Sequence, residues 1–151
     1  MRRVYILLIA LGVFAFLAIS ALLARAFSVG GAEDAAITAL VTAEAHGDTN
    51  AVISLITRCR ADATCRTRAA SVAGSLRRPG SVSIIQIQES AGFSLGGTLG
   101  TARVAWLVGS SLPRVQCLRV RHDGNVISGF RLELLKVSVR IRSNADCPAR
   151  F

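Results

Sequence analysis

An α+β fold is predicted for this 151-residue chain: an N-terminal transmembrane helix, then about three helices packed on a curved four-stranded antiparallel sheet. Three observations predict it. Val4 to Ala24 is a run of 21 residues without a charge. Residues 33–78 carry apolar side chains at helical spacing. After residue 80 the apolar period changes from 3.6 to 2.

The apolar run comes first. As a helix rising ~1.5 Å per residue it spans about 30 Å, the hydrocarbon thickness of a bilayer. Arg2 and Arg3 precede it, while Glu33 and Asp34 follow Arg25. That bias favours a cytoplasmic amino terminus and an extracytoplasmic remainder. Ala24-Arg25-Ala26 also has the small-x-small form of a signal peptidase site, so secretion after cleavage following Ala26 is the alternative. A signal's apolar region is usually about 7–15 residues, which favours an uncleaved anchor in the cell membrane. The expected division is 1–25 as cytoplasmic tip and signal-anchor, 26–31 as a short linker, and 32–151 as one extracytoplasmic domain.

Gly30-Gly31 is expected to break the helix leaving the membrane. A first domain helix then starts at Glu33 and Asp34, where acids favour the positive end of the helix dipole, and Ile37, Leu40, Val41 and Ala45 form its apolar stripe. His46-Gly47-Asp48 ends it. Asp48 or Thr49 caps a second helix, with Val52, Leu55, Ile56 and Cys59 on one face. A third helix covers Ala63 to Arg78, with a small-residue face and a stop at Pro79-Gly80.

Four strands follow. The first is Val82 to Gln88, with Ile85 and Ile87 alternating against glutamines. A glycine-rich connection (Gly92 to Gly100) leads to a second strand from Thr101 to Gly109, and Ser110 to Pro113 turns into a third, Arg114 to His122. Asp123-Gly124 is a hairpin signal that would oppose Arg114 to Glu133. The fourth strand, Asn125 to Arg142, carries apolar residues at even positions to Leu134 and odd positions from Leu135. That frame change predicts a bulge.

Composition narrows function. Beyond residue 25 lie 15 Lys and Arg against nine Asp and Glu, a net of +6. Cys59, Cys65, Cys117 and Cys147 all fall in the exported part, which fits disulfides in an oxidising compartment. Three connectivities are open; Cys59–Cys65 and Cys117–Cys147 are favoured over the others. Zinc is disfavoured, since there is no C-x-x-C and neither His46 nor His122 has ligand spacing to a cysteine. No metal and no cofactor is expected.

The His46-Gly47-Asp48 break before Val52, Leu55 and Ile56, and the Cys117 to Leu135 stretch, resemble the opening helices and closing hairpin of the nuclear transport factor 2-like superfamily. Its bacterial membrane-anchored, uncharacterised members are similar in layout. The resemblance implies a sheet wrapped into a cone around the helices over residues 32–142, with an open end that can hold a small molecule. Some members are enzymes, including ketosteroid isomerase and scytalone dehydratase; others bind partners or dimerise. The isomerase-type site pairs a carboxylate base with a buried hydroxyl donor. Here the single tyrosine, Tyr5, lies in the membrane segment, so that donor is missing.

The weak catalytic candidates are Glu89 and Glu133, each able to serve as a general base if burial raised its pKa. Their plainer readings are a solvated strand-end acid and a cross-strand ion pair. His46 and His122 sit beside turns where polar residues are ordinary. No Gly-x-Ser-x-Gly elbow, phosphate loop or H-E-x-x-H occurs. Arg66, Arg77 and Arg78 on the third helix, with Arg119 and Arg121 on the third strand, could contact anionic lipid headgroups or envelope polymers. Nucleic acid is not expected, because Trp106, Phe93 and Phe130 offer few exposed stacking faces. The expectation is therefore a membrane-anchored, non-enzymatic binding or assembly module. A protein partner, a second copy of the chain, or a small apolar ligand is its expected target. An isomerase- or dehydratase-like enzyme and an anionic-polymer binder are the alternatives.

Overall fold

The computed structural model describes residues 2–88, 90, 98–125, 129–142, 146–149 and 151. Helices α1 (Arg2–His46), α2 (Thr49–Leu55) and α3 (Ala63–Leu76) precede strands β1 (Val82–Gln88), β2 (Thr98–Val108), β3 (Arg114–Asn125) and β4 (Gly129–Val137). A single 3₁₀ turn, Cys59–Ala61, lies between α2 and α3. The strands form one antiparallel sheet in the order β1-β2-β3-β4.

The expected break at Gly30-Gly31 is absent: α1 runs unbroken for 45 residues. A glycine costs a helix only about 1 kcal/mol relative to alanine. Beyond it, Ile37, Leu40, Val41 and Ala45 are fully buried, so tertiary packing outweighs that penalty. Glu33 and Asp34 accordingly lie inside a helix and do not start one. The stretch Val4–Ala24 is long and apolar enough to cross a bilayer, and none of it is buried against the domain.

Helix α2 is capped by Asp48, whose carboxylate accepts from the Ala51 N–H at 2.9 Å. Gly47 supplies the reversal between α1 and α2 at φ 73°, a conformation that strains any residue with a Cβ. Asp62 caps α3 by accepting from the N–H groups of Thr64 and Cys65 at 2.8 and 3.2 Å. This helix ends at Leu76, two residues short of the expected Arg78, because the Arg78 N–H donates to the Ala45 carbonyl at 2.9 Å.

The helix-facing side of the sheet is apolar, with Val104, Trp106, Leu118 and Val120 fully buried. In β1 the register shifts between Ile84 and Gln86, which turns Ile85 outward at 52% exposure while Ile84 and Ile87 pack on the core. The expected Ile85/Ile87 alternation fails at that bulge. The bulge expected in the last strand is present: Val120 opposes Leu134 and Arg119 opposes Lys136, leaving Leu135 as the extra residue. Past Val137, Ser138 and Ile141 donate from their N–H groups to Cys117 and Val115, both at 2.8 Å. The predicted long strand is therefore β4 plus a broken extension.

The β3–β4 register differs from expectation. Asp123 and Gly124 are paired strand residues opposite Arg131 and Phe130. The connection is residues 126–128, outside the described residues. Glu133 therefore faces Arg121, with Arg121 Nη1 at 3.4 Å from its Oε2, and Arg114 pairs with Trp106 in β2. Both favoured disulfides form, Cys59–Cys65 and Cys117–Cys147, with Cα separations of 5.2 and 5.7 Å.

The two crosslinks close loops of different length, with sequence separations of 6 and 30. By loop entropy, replacing Cys117 and Cys147 with alanine should cost about 4 kcal/mol, against about 2 kcal/mol for Cys59 and Cys65. Urea unfolding of the two double variants checks that order.

Candidate functional site

Helix α1 brings two glutamates into the domain on one stripe. Glu33, Ile37, Leu40, Val41, Glu44 and Ala45 recur at helical spacing and all are buried. About 17 Å of helix axis separates the two acids.

Glu33 is 1% exposed. Its Oε1 accepts from the Ser90 N–H at 2.9 Å. Its Oε2 accepts from the Ser90 hydroxyl at 3.2 Å and lies 2.9 Å from His122 Nε2. Ser90 Oγ is also 3.1 Å from the same Nε2. Three elements therefore converge: α1, the residue following β1 closely, and β3. Gly100 at the start of β2 completes the fit, since a Cβ there would lie 2.3 Å from Ser90 Cβ. Serine, histidine and glutamate together invite comparison with a nucleophilic relay. In such a relay the acid holds one ring nitrogen and the serine faces the other. Here Glu33 and Ser90 share Nε2, and Ser90 is buried. The cluster can lock the first domain turns of α1 to the sheet; it cannot pass a proton from serine through histidine to the acid.

Glu44 is fully buried, and among the described residues neither carboxylate oxygen has a hydrogen-bond partner. Burial pushes its pKa up to about 7, with the Gln116 side chain pulling it back only in part. Gln116 is itself committed elsewhere: its Oε1 accepts from Trp106 Nε1 at 2.7 Å, and its Nε2 donates to the Ser138 carbonyl at 3.2 Å. Arg114, also turned inward, donates to the Leu76 carbonyl at 2.7 Å and lies 5.7 Å from the Trp106 ring centre.

The opening on the surface is elsewhere. A groove of about 150 Å³ runs between the α2–α3 connection, α3 and β4. Ile56, Ala69, Leu135, Val137 and the Cys59–Cys65 bridge give it apolar walls. Arg58, Arg68 and Lys136 line it as exposed cations, and among the described residues no carboxylate pairs with them. Arg58 adopts a left-handed backbone at φ 62°. Asp62 also lines the groove, but its Oδ1 is occupied in capping α3.

Of the expected site residues, Glu133 is an exposed-face acid paired with Arg121, and Glu89 lies outside the described residues. The five arginines do not share a surface. Arg119 and Arg121 alternate with the inward Leu118 and Val120, so they point to the outer face of the sheet. Arg66, Arg77 and Arg78 belong to the helical side. Arg119 is further engaged by the tail, donating to the Ala149 carbonyl and stacking on the Phe151 ring. Trp106 is fully buried. Among the described residues no three His, Cys, Asp or Glu side chains converge as a metal site. In the sequence Glu33 reads only as a helix-start acid, and neither Glu44 nor Ser90 is named. For the glutamates the signal was available, since both fall on the stripe of Ile37, Leu40 and Val41.

No protein family, curated protein or solved structure matches this chain.

Two predictions test the buried acids. A raised folded pKa at Glu44 means its neutral form is preferred inside. Its contribution is intact below about pH 4.5, falls as pH rises, and levels off above about 7. Over that window wild type should lose about 3 kcal/mol relative to Glu44→Gln, read from urea midpoints across pH. At the other cluster, His122→Ala strands a buried carboxylate. It should destabilise by about 3 kcal/mol, and His122→Ala combined with Glu33→Gln should recover part of that loss in a double-mutant cycle.

Proposed function

We propose that the chain is a membrane-anchored, extracytoplasmic binding module on the nuclear transport factor 2-like plan, acting without catalysis and taking its ligand at the α2–α3/β4 groove. One observation carries this reading. The polar groups between α1 and the sheet are enclosed by packing, whereas the groove is open and lined by exposed cations with no carboxylate paired to them among the described residues. The export half of the reading is supported by the apolar Val4–Ala24 helix and by two disulfides in the domain beyond it. The superfamily half is supported by the Gly47-Asp48 break between α1 and α2 and by the bulge at Leu135 in the last strand. The curved, cone-forming sheet belongs to that proposal.

A second reading has one observation in its favour. Glu44, buried and unpaired with a pKa of about 7, is poised as a general base in the way an isomerase-like enzyme requires. It would take the place of Glu89 or Glu133 in that alternative. It is, however, fully enclosed, and its neighbour Gln116 is held by Trp106 Nε1 and the Ser138 carbonyl.

Location and binding are tested separately. Anchoring predicts that the intact chain resists alkaline carbonate extraction and that its cysteines react with an impermeant thiol reagent only after an impermeant reductant is applied outside the cell. A mature amino terminus at Phe27 would reject the anchor. For binding, the full chain in phosphatidylcholine nanodiscs is titrated with hexanol while methyl resonances are followed. Shifts confined to Ile56, Leu135 and Val137 support the groove; shifts at Ile37, Leu40 and Leu118 support the interior enzyme site instead.

A further inference from the structure

We infer that the groove selects the anionic end of an amphiphilic molecule: an oxyanion head, carboxylate or phosphate, on a short hydrocarbon body. The inference rests on the groove-binding reading above and names its ligand class. The groove's volume is about 150 Å³. It is well below the ~300–1,000 Å³ of sites that enclose a drug-sized ligand. It suits a small molecule or one end of a larger one.

Chemistry decides which end. The walls are Ile56, Ala69, Leu135, Val137 and the Cys59–Cys65 bridge, surfaces that reward a hydrocarbon body and offer a polar one little. At the mouth, Arg58, Arg68 and Lys136 supply three positive charges with no carboxylate paired to them among the described residues. The groove's own acid, Asp62, faces the amide hydrogens that begin α3. That helix end is therefore already neutralised, and the arginines and lysine are what an incoming anion meets. An arginine fork can hold either a carboxylate or a phosphate through two parallel hydrogen bonds. A left-handed non-glycine residue costs about 1–3 kcal/mol where nothing compensates it. Arg58 holds that conformation at the groove's edge, with its C=O accepting the Ala61 N–H at 3.0 Å.

Four probes of equal chain length test the inference on the full chain in phosphatidylcholine nanodiscs: hexanoate, hexyl phosphate, hexanol and hexylammonium. Binding is read from the Ile56, Leu135 and Val137 methyls. The expected result is that the two anions bind about tenfold more tightly than hexanol and hexylammonium more weakly still. That preference should shrink at high salt and disappear in Arg68→Ala combined with Lys136→Ala, both exposed positions. Relative affinity of hexanoate and hexyl phosphate separates a fatty-acid-like source from a lipid-phosphate-like one. Equal affinity for hexanol and the anions, or tighter binding of hexylammonium, overturns the anion selectivity while leaving the groove a binding site. Silence of the groove methyls toward all four probes overturns the groove-binding reading and the inference with it.

Discussion

One unbroken helix carries two different surfaces, and most of this structure follows from how its second half is seated. The first half of α1 is apolar on every side and touches nothing in the domain. Its last 14 residues carry a narrow buried stripe against the sheet. A helix has no joint at which the change of surroundings can be absorbed, so the seating of that stripe sets the direction of the whole apolar segment. The Glu33–Ser90–His122 cluster sits at the start of the stripe and the Arg78–Ala45 bond at its end. Between them the helix is held by directional bonds at both ends and by apolar packing along its length.

Placing two acids on a buried stripe is costly, and the protein treats them differently. Glu33 receives two hydrogen bonds and lies beside an imidazole, so its carboxyl oxygens have partners. Glu44 receives none and responds by shifting toward its neutral form. Burial without a partner disfavours the charge itself, whereas burial beside donors does not. The same contrast explains why the first acid works as a fastener and the second as a group sensitive to pH. Neither faces the groove, where the exposed cations instead remain available to solvent.

Local order was legible where local chemistry decides it. Asp48 caps α2 because a short acid accepts the free amide hydrogens there, and the bulge at Leu135 shows in the apolar frame change after Leu134. Register was not legible. Asp123-Gly124 is a strong turn pair, yet pairing continues through it, because the side chains of β3 and β4 gain more by matching Val120 with Leu134 on the core face. That shift moves Glu133 from Arg114 to Arg121. The groove was invisible in sequence for the same kind of reason: Arg58, Arg68 and Lys136 lie on three separate elements, and nothing in their spacing links them.

By itself, then, the chain's order of residues determined the apolar span, the helices-then-strands architecture and the net positive charge beyond residue 25, and it favoured the two disulfide pairs that form. These depend on periodicity, composition and the chemistry of near neighbours. Tertiary structure alone decided that α1 continues through Gly30-Gly31, that Glu33 meets His122 while Glu44 is buried without a charged partner among the described residues, and that three cations border one apolar groove. Each of those outcomes is a balance between a local preference and the burial of surface contributed by residues far away in the chain, a balance that exists only once the helix lies on the sheet.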